Sequence, residues 1–280
     1  MLLMTIQRTV SLQHLSANFT HSERMTFMRQ AAAFLLLLTP GLLHADEARD
    51  IVERGMKARS ANAETLDKQR CQIVSQVGKI VDTSGAELES TSEIKSNWPW
   101  LQRWETEMQM PDGKGKTRAV LTFQQDKAWM QNSMQPPVDM DLVFTDDFRT
   151  EIYGRWLGTL YPLKDKAFAL TLMKDGRVGE QEVSVVKASL RLRPDVFLSF
   201  SKKDGHLLKV AYRASESGTE VRKEHLYSDY RDFDGLMLPK KQVDMKQVGN
   251  RPAARSAEWT NTYKFVDKFP PTTFEKPEMK

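Results

Sequence analysis

The stretch that decides the fold is residues 225–240, which read HLYSDYRDFDGLMLPK. Its first part, up to Phe233, is rich in the aromatic residues that favour β-strands. Asp234-Gly235 then supplies a turn dipeptide that often joins two paired strands, because glycine accepts positive φ without steric cost. Pro239 fits a strand at a sheet edge, where a missing N–H is tolerated. The stretch therefore predicts a β-hairpin.

The same alternation of short strands and turns extends around this hairpin. Turn signals such as Asp175-Gly176 and Ser217-Gly218 separate most of the segments. The candidate strands in this half of the chain are 168–173, 182–192, 196–201, 207–214, 220–233, 237–247 and 256–266. Their connections are short and contain no helix, which favours antiparallel neighbours over parallel βαβ units.

Two helices and a first group of strands precede these segments. Residues 47–59 have apolar side chains at spacings of three and four, which predicts an amphipathic helix. The period then changes to two, and the candidate strands are 71–81, 88–95, 98–110, 117–124 and 127–131. Residues 139–161 return to a helical spacing that ends before Pro162, although Gly154 and Gly158 weaken an unbroken helix. We expect one mainly β (α+β) domain over residues 46–280.

The amino-terminal segment has the organisation of an export signal. Residues 28–45, MRQAAAFLLLLTPGLLHA, combine a basic start, an apolar run and a small residue at the expected cleavage site, Ala45. Residues 1–27 look like neither a signal nor a domain, and we interpret them as an over-extended start or an atypical leader. Asp46 stands where a lipoprotein has its modified cysteine. The sequence therefore predicts an unanchored periplasmic protein.

Composition excludes several classes of protein. The chain has 280 residues, of which 40% are hydrophobic and 28% charged, which is ordinary for a globular protein and too apolar for disorder. Its net charge of +4 falls to +2 when residues 1–45 are left out, since 38 basic and 36 acidic residues remain. So small an excess gives no reason to expect a nucleic-acid partner.

Residues that could perform chemistry are few. His206 and His225 are the two histidines beyond residue 45, and we expect both to be solvated polar positions. The single cysteine, Cys71, is expected to be a small core residue, because no neighbouring motif would activate it. Asp146-Asp147 is interpreted as part of a helix start. The sequence thus predicts no catalytic, cofactor-binding or metal-binding site, and the protein is expected not to be an enzyme.

Large, soft apolar residues are concentrated between positions 98 and 161. Methionine adapts to irregular apolar partners, as a lipid-binding cavity requires. The candidate cavity or lid residues are Trp100, Trp104, Met108, Met110, Trp129, Trp156 and Leu160. The alternative interpretation is a filled core behind a curved sheet.

The hairpin also carries a resemblance to a known family. Tyr227-Ser-Asp-Tyr230-Arg231, followed by Asp234-Gly235 and Pro239, resembles a motif of the LolA-type periplasmic carriers of outer-membrane lipoproteins. Residues 269–274 resemble the closing segment of that family. The resemblance implies a strongly curved antiparallel sheet or half-open β-barrel, with helices closing one face and an apolar interior that receives acyl chains. Residues 139–161 would suit the lid.

Three functions remain open at this point. The first is a monomeric carrier or sensor of lipid or lipoprotein acyl chains, with an inner-membrane donor complex or another membrane partner. The second is an interaction or regulatory module of the cell envelope on the same fold, which would have a filled core and an exposed aromatic patch. The third is an enzyme, which would need polar residues with shifted pKa values clustered in a cleft.

Overall fold

The computed structural model describes residues 39–82, 84–110, 113–133, 135–216 and 218–276. Its contacts divide the chain into two units, Met1–His44 and Ala45–Lys280. The second unit holds the whole sheet, and the description below concerns it. The predicted leader and residues 28–38 of the predicted signal peptide lie outside the described residues.

Three α-helices occur in the described chain: α1, Thr39–Arg59; α2, Ala63–Asp67; and α3, Leu142–Gly158. The helix predicted at 139–161 is shorter than expected, because Asp141 has extended backbone and accepts a hydrogen bond from the Phe144 N–H at 2.8 Å. Asp141, rather than Asp146-Asp147, therefore caps this helix. None of the described helices is both long and apolar enough to cross a membrane.

Fourteen strands form among the described residues. They are β1, Cys71–Val81; β2, Glu87–Asn97; β3, Leu101–Gln109; β4, Lys116–Gln124; β5, Lys127–Asn132; β6, Gln135–Asp139; β7, Ala169–Leu172; β8, Gly176–Val178; β9, Gln181–Ser189; β10, Val196–Ser201; β11, Leu207–Glu216; β12, Thr219–Phe233; β13, Leu236–Val248; and β14, Ala254–Phe265. Short 3₁₀ turns lie at Lys68–Arg70, Tyr161–Lys164 and Pro271–Phe274.

All the strands belong to one antiparallel sheet. Its order is β6-β5-β4-β3-β2-β1-β14-β13-β12-β11-β10-β9-β7, with β8 paired to β9. The hairpin predicted from residues 225–240 is confirmed: Phe233 pairs with Leu236 across Asp234-Gly235, whose φ angles of 56° and 83° are both positive. This register also places His225 directly opposite Asp244.

The sheet is strongly curved and does not close. The ring of Phe148 in α3 lies 5.8 Å from that of Phe123 in β4, while Gly154 of the same helix lies against Tyr212 in β11. Seven strand steps separate β4 from β11, roughly 34 Å along a flat sheet, whereas a helix with its side chains is about 10–12 Å wide. The sheet must therefore wrap around α3. The predicted fold class, a mainly β half-open barrel with helices on one face, is confirmed.

Glycine at position 154 allows this close approach. A Cβ atom there would lie 2.3 Å from the Tyr212 ring, so only glycine fits without a shift. The helix is unbroken despite Gly154 and Gly158. Gly158 is also closely packed, since a Cβ there would lie 3.3 Å from the Tyr227 hydroxyl. Close packing thus explains both glycines, although glycine has a low helix propensity.

Buried apolar residues of the described chain form a large core beneath α1 and α3, and two smaller clusters. The large core takes in Ile51 and Val52 from α1, Leu157 from α3 and Val210 from β11. A second cluster, which includes Trp98, Phe123 and Phe148, lies under the first half of α3. Buried polar side chains, among them Gln102, His225 and Asp244, lie between these clusters, and they define the site.

Candidate functional site

A cavity of about 450 Å³ opens between the first half of α3 and the sheet, and we call it the aromatic cavity. Trp104 of β3 and Phe144 and Phe148 of α3 form its apolar wall. The Trp104 and Phe148 rings meet edge to face at 5.0 Å, and Phe144 stacks on Phe148 at 6.3 Å. Such ring pairs hold their geometry, because edge-to-face and offset contacts are favoured.

Ionisable side chains surround the rest of the cavity. Five of them, together with Tyr212 of β11, which is hydrogen-bonded to two of the five, form what we call the ion network. The five are Glu151 and Arg155 of α3, Lys223 and His225 of β12, and Asp244 of β13. Alternation along β12 brings Lys223 and His225 to the same inner face. Because Glu151 and Arg155 are four residues apart, they lie on one side of α3.

Glu151 is the link between α3 and the sheet. Its carboxylate accepts hydrogen bonds from the Arg155 Nε at 2.6 Å, the Tyr212 hydroxyl at 2.8 Å and the Lys223 Nζ at 3.0 Å. One carboxylate thus joins the helix to two strands.

His225 is the centre of the sheet side of the network. It is only 3% exposed, its Nδ1 lies 2.6 Å from Asp244 Oδ1, and its Nε2 lies 2.9 Å from the Tyr212 hydroxyl. The expectation that His225 is a solvated position is wrong, because its strand alternation turns it inward. His206 is partly exposed and stacks on Tyr230 at 4.2 Å. Cys71 is buried, as predicted.

The environment keeps the carboxylates of the network ionised. Burial alone would raise the pKa of Glu151, but the charges of Lys223 and Arg155 outweigh it and hold that pKa well below its usual value. Burial acts in the same direction on Asp244, and its pKa is nevertheless lowered by His225 and Arg155. Glu151 and Asp244 are therefore ionised near neutral pH.

Two groups of the network that could exchange a proton are held by their neighbours. Burial raises the pKa of the Tyr212 hydroxyl well above its usual value, and Glu151 raises it further, so the hydroxyl keeps its proton. Both ring nitrogens of His225 are already occupied by Asp244 and Tyr212. Within the described ranges, no group of three His, Cys, Asp or Glu side chains is arranged to hold a metal ion.

Three of the candidate residues from the sequence are close together. Trp104 lines the aromatic cavity, and the rings of Trp100 and Trp156 lie 6.2 Å apart in the packed layer behind it. Arg193 lies over Trp100, 4.7 Å from its ring centroid.

The other four candidates lie elsewhere. Leu160 is fully buried in the large core. Trp129 follows Ala128, which packs under α3, so strand alternation turns Trp129 to the opposite face. Met108 and Met110 are partly buried at the far end of β3, and neither lines the aromatic cavity.

Sequence reasoning missed the ion network. The available signal was a set of charged residues that share a face with apolar ones, such as Glu151, three residues after Phe148 in α3, and Asp244, six residues after Leu238 in β13. That signal does not identify partners, because the ion pairs join α3 to strands 60 to 90 residues further along the chain. It follows that the interior is only partly apolar, which differs from what the family resemblance implies.

No protein-family model matches the sequence, and no curated protein matches it. Solved structures similar to the fold include a LolA superfamily protein from Nitrosomonas europaea, 14% identical, with a TM-score of 0.48 over 82% of this chain and 97% of that one. A putative outer membrane lipoprotein-sorting protein domain from Vibrio parahaemolyticus is 13% identical, with a TM-score of 0.45 over 76% and 97%. A DUF1329 family protein from Desulfovibrio piger is 10% identical, with a TM-score of 0.47 over 83% and 97%. The first two descriptions name the family that the motif in residues 225–240 resembles.

Proposed function

We propose that this domain binds the acyl chains of a lipid or lipoprotein in the aromatic cavity, as a non-catalytic carrier or sensor of the periplasm. The observation that carries the proposal is the 450 Å³ space between α3 and the sheet, with Trp104, Phe144 and Phe148 on its apolar wall. This volume is within the range of roughly 300–1,000 Å³ that is typical of small-molecule sites. Each methylene buried there contributes about 0.8 kcal/mol.

The helix α3 is the proposed lid. It forms one wall of the cavity and is held to the sheet by the Glu151 ion pairs rather than by apolar packing alone. Moving α3 away from the sheet would separate these pairs and open the cavity to water. Loading and release are therefore a shift of population between closed and open positions of α3.

The proposed location depends on the amino-terminal segment. Residues 28–45 have the order of a secretory signal peptide, and cleavage near Ala45 would leave the sheet domain intact. A carrier in that compartment needs an acyl-binding cavity, because a lipid chain exposed to water is strongly disfavoured.

Native mass spectrometry tests the proposal. The full chain would be expressed in a Gram-negative host, purified from the periplasmic extract and weighed, and the bound material extracted into organic solvent. We expect a bound diacyl species that is lost in Trp104→Glu and in Trp156→Glu. Leu192→Glu is the matched control, because Leu192 is 93% exposed and does not line the cavity.

The opposite result has a clear meaning. A clean apo mass for the wild-type chain, with no uptake of offered phospholipids or fatty acids, would contradict acyl-chain binding. Circular dichroism on each variant separates loss of ligand from loss of fold.

A second candidate, the interaction module, is favoured by one observation. Apolar side chains are exposed around the start of α3, where Leu142 is 78% and Val143 56% exposed, with Val138 and Met130 on the adjoining strands. Such a patch is typical of protein contacts. If lipid uptake is absent and Leu142→Asp with Val143→Asp abolishes binding to a membrane partner, this module replaces the carrier.

A further inference from the structure

A second, smaller cavity lies deeper under α3. Its volume is about 80 Å³, several times the roughly 10–15 Å³ that one water molecule needs. Arg59 and Arg155 both line it, and we call it the arginine cavity. Its remaining lining consists of uncharged side chains, mainly glutamine, tyrosine and aliphatic residues, so none of the described lining residues is acidic. Arg155 is shared with the aromatic cavity.

Arg59 is a buried cation without a carboxylate partner. It is the last residue of α1 and is 4% exposed. Its Nη1 donates to the Gly158 carbonyl at 2.8 Å and to Gln69 Oε1 at 3.3 Å. Among the described residues, no Asp or Glu oxygen lies within 4.0 Å of its guanidinium.

The partners that Arg59 does have compensate only part of its charge. Gly158 is at the carboxyl end of α3, where the helix dipole is equivalent to roughly half a negative charge. Burying a full charge is costly unless it is paired. Arg155 differs, since it pairs with Glu151 at 2.6 Å and lies 3.6 Å from Asp244. The unbalanced positive charge in this cavity therefore belongs to Arg59.

Two buried donors belong to residues that line the same cavity and find no acceptor in the described parts of the chain. Gln102 is 0% exposed, and its Oε1 accepts from the Ser96 hydroxyl at 2.9 Å and from Trp104 Nε1 at 3.3 Å. These bonds fix the orientation of the amide, and its Nε2 is left without a partner. The Nε1 of Trp98, a residue that is 7% exposed, also lacks one. Buried donors without acceptors are uncommon in folded proteins and call for an explanation.

We propose that the arginine cavity binds an oxyanion of the phosphate class, whose oxygens accept hydrogen bonds from Arg59, Gln102 and Trp98. An oxyanion supplies both missing elements at once, a negative charge and several strong acceptors. Water would supply acceptors but no charge. The proposal goes beyond acyl-chain binding and stands without it, because it depends on the donors and charge of a separate cavity.

The phosphate could come from two sources with the same chemistry. One is a free anion. The other is the headgroup of an amphiphile whose chains occupy the aromatic cavity, since Arg155 lines both spaces. The experiment therefore needs a free phosphate, a short-chain phosphatidic acid and the matching diacylglycerol, which has the same chains and no phosphate.

Isothermal titration calorimetry of the delipidated full chain with inorganic phosphate is the first arm. We expect binding that weakens about ten-fold or more in Arg59→Gln, which keeps a donor near Gly158 but removes the charge. Gln102→Glu is the second variant: it places a carboxylate beside the unpaired charge and should also weaken phosphate binding without loss of fold. Lys79→Gln, which removes a charge from the exposed side of β1, should bind as the wild-type chain does.

The outcomes distinguish three cases: a site for a lipid headgroup, a site for a free anion, and no phosphate site. The proposed site would be contradicted if the wild-type chain bound no phosphate, or if Arg59→Gln and Gln102→Glu bound phosphate as tightly as the wild-type chain. If phosphatidic acid binds more tightly than both phosphate and diacylglycerol, and Arg59→Gln removes only that difference, the headgroup is the ligand. If phosphate binds equally well with and without attached chains, the ligand is the free anion. Diacylglycerol binding with no dependence on phosphate would retain the carrier proposal and remove this one.

Discussion

At the scale of single residues, the helix-to-sheet contact depends on the missing side chain of Gly154. Its neighbour across the contact, Tyr212, cannot easily give way, because the Tyr212 hydroxyl is held by Glu151 at 2.8 Å and His225 at 2.9 Å. A methyl group at position 154 would meet a fixed ring. Helix propensity alone would make a Gly154→Ala substitution stabilising, since alanine is favoured over glycine by about 1 kcal/mol in a helix.

We expect Gly154→Ala to lower the free energy of unfolding by about 1–3 kcal/mol, because overpacking outweighs the gain in propensity. Urea denaturation measures the change. Gly115→Ala is the control, since the nearest atom to a Cβ there is the flexible end of Met110 at 4.0 Å. A Gly154→Ala variant more stable than the wild-type chain would show that Tyr212 is not held as described.

The ionised carboxylates of the network predict an effect of acid. Their pKa values are lowered in the folded state relative to the usual 4.5 of Glu151 and 3.8 of Asp244. A lowered folded-state pKa contributes stability that is fully present above the usual pKa and is lost as the pH falls through the folded-state value. We therefore expect stability to decline below about pH 4.5. Urea denaturation at several pH values between 6 and 3 gives the free energy of unfolding at each pH. This free energy should decrease less steeply with falling pH for Glu151→Gln than for the wild-type chain, and equal slopes would contradict the prediction.

At the scale of elements, α3 is attached to the sheet by two unlike sets of contacts. Its first half packs through Phe148 against β3 and β4, and Glu151 connects it to β11 and β12. Its carboxyl end is held by Arg59 through the Gly158 carbonyl. Opening the lid would therefore expose Phe148, Ile152 and Leu157, which are buried in the apolar clusters, and breaking one ionic partner alone would leave a buried charge unpaired.

We expect Glu151→Gln to lower the free energy of unfolding by at most about 3–5 kcal/mol, since breaking a buried ion pair is costly. Lys223 keeps Glu216 at 3.0 Å and Arg155 keeps Asp244 at 3.6 Å, which limits the loss. The matched control is Asp146→Asn on the same helix, whose pair with Arg149 is exposed at the Asp146 side and should change stability by less than about 1 kcal/mol. Equal effects of the two substitutions in urea denaturation would show that the network does not hold α3.

At the scale of the whole molecule, the sequence predicts what is local and misses what is not. The hairpin at Asp234-Gly235 and the antiparallel pairing of successive strands follow from turn chemistry and two-residue periodicity, which act over a few positions. The pairing of β1 with β14 does not, because it joins the two ends of the domain. The pairing of His225 with Asp244 depends on the register of β12 and β13, and the contact of both with α3 depends on the curvature of the sheet. Trp104 is a candidate from the sequence because large apolar residues are visible in any sequence, and its role stays a prediction. Gln102 and Arg59 are not candidates from the sequence, because which partners surround a buried side chain is visible only in the structure.

The central claim, that an acyl chain lies against Trp104, Phe144 and Phe148 beneath α3, is tested most directly by photolabelling. The chain would be loaded with a fatty acid carrying a diazirine along its tail, irradiated, and digested for peptide mass spectrometry. We expect labels on Trp104 and on Phe148, and their loss in Trp104→Glu. Fragment sequencing must locate each label, because Phe148 shares the tryptic peptide 128–149 with Val138, Leu142 and Val143. Labels confined to the exposed side chains Leu142, Val143 and Val138, unchanged by Trp104→Glu, would contradict the claim.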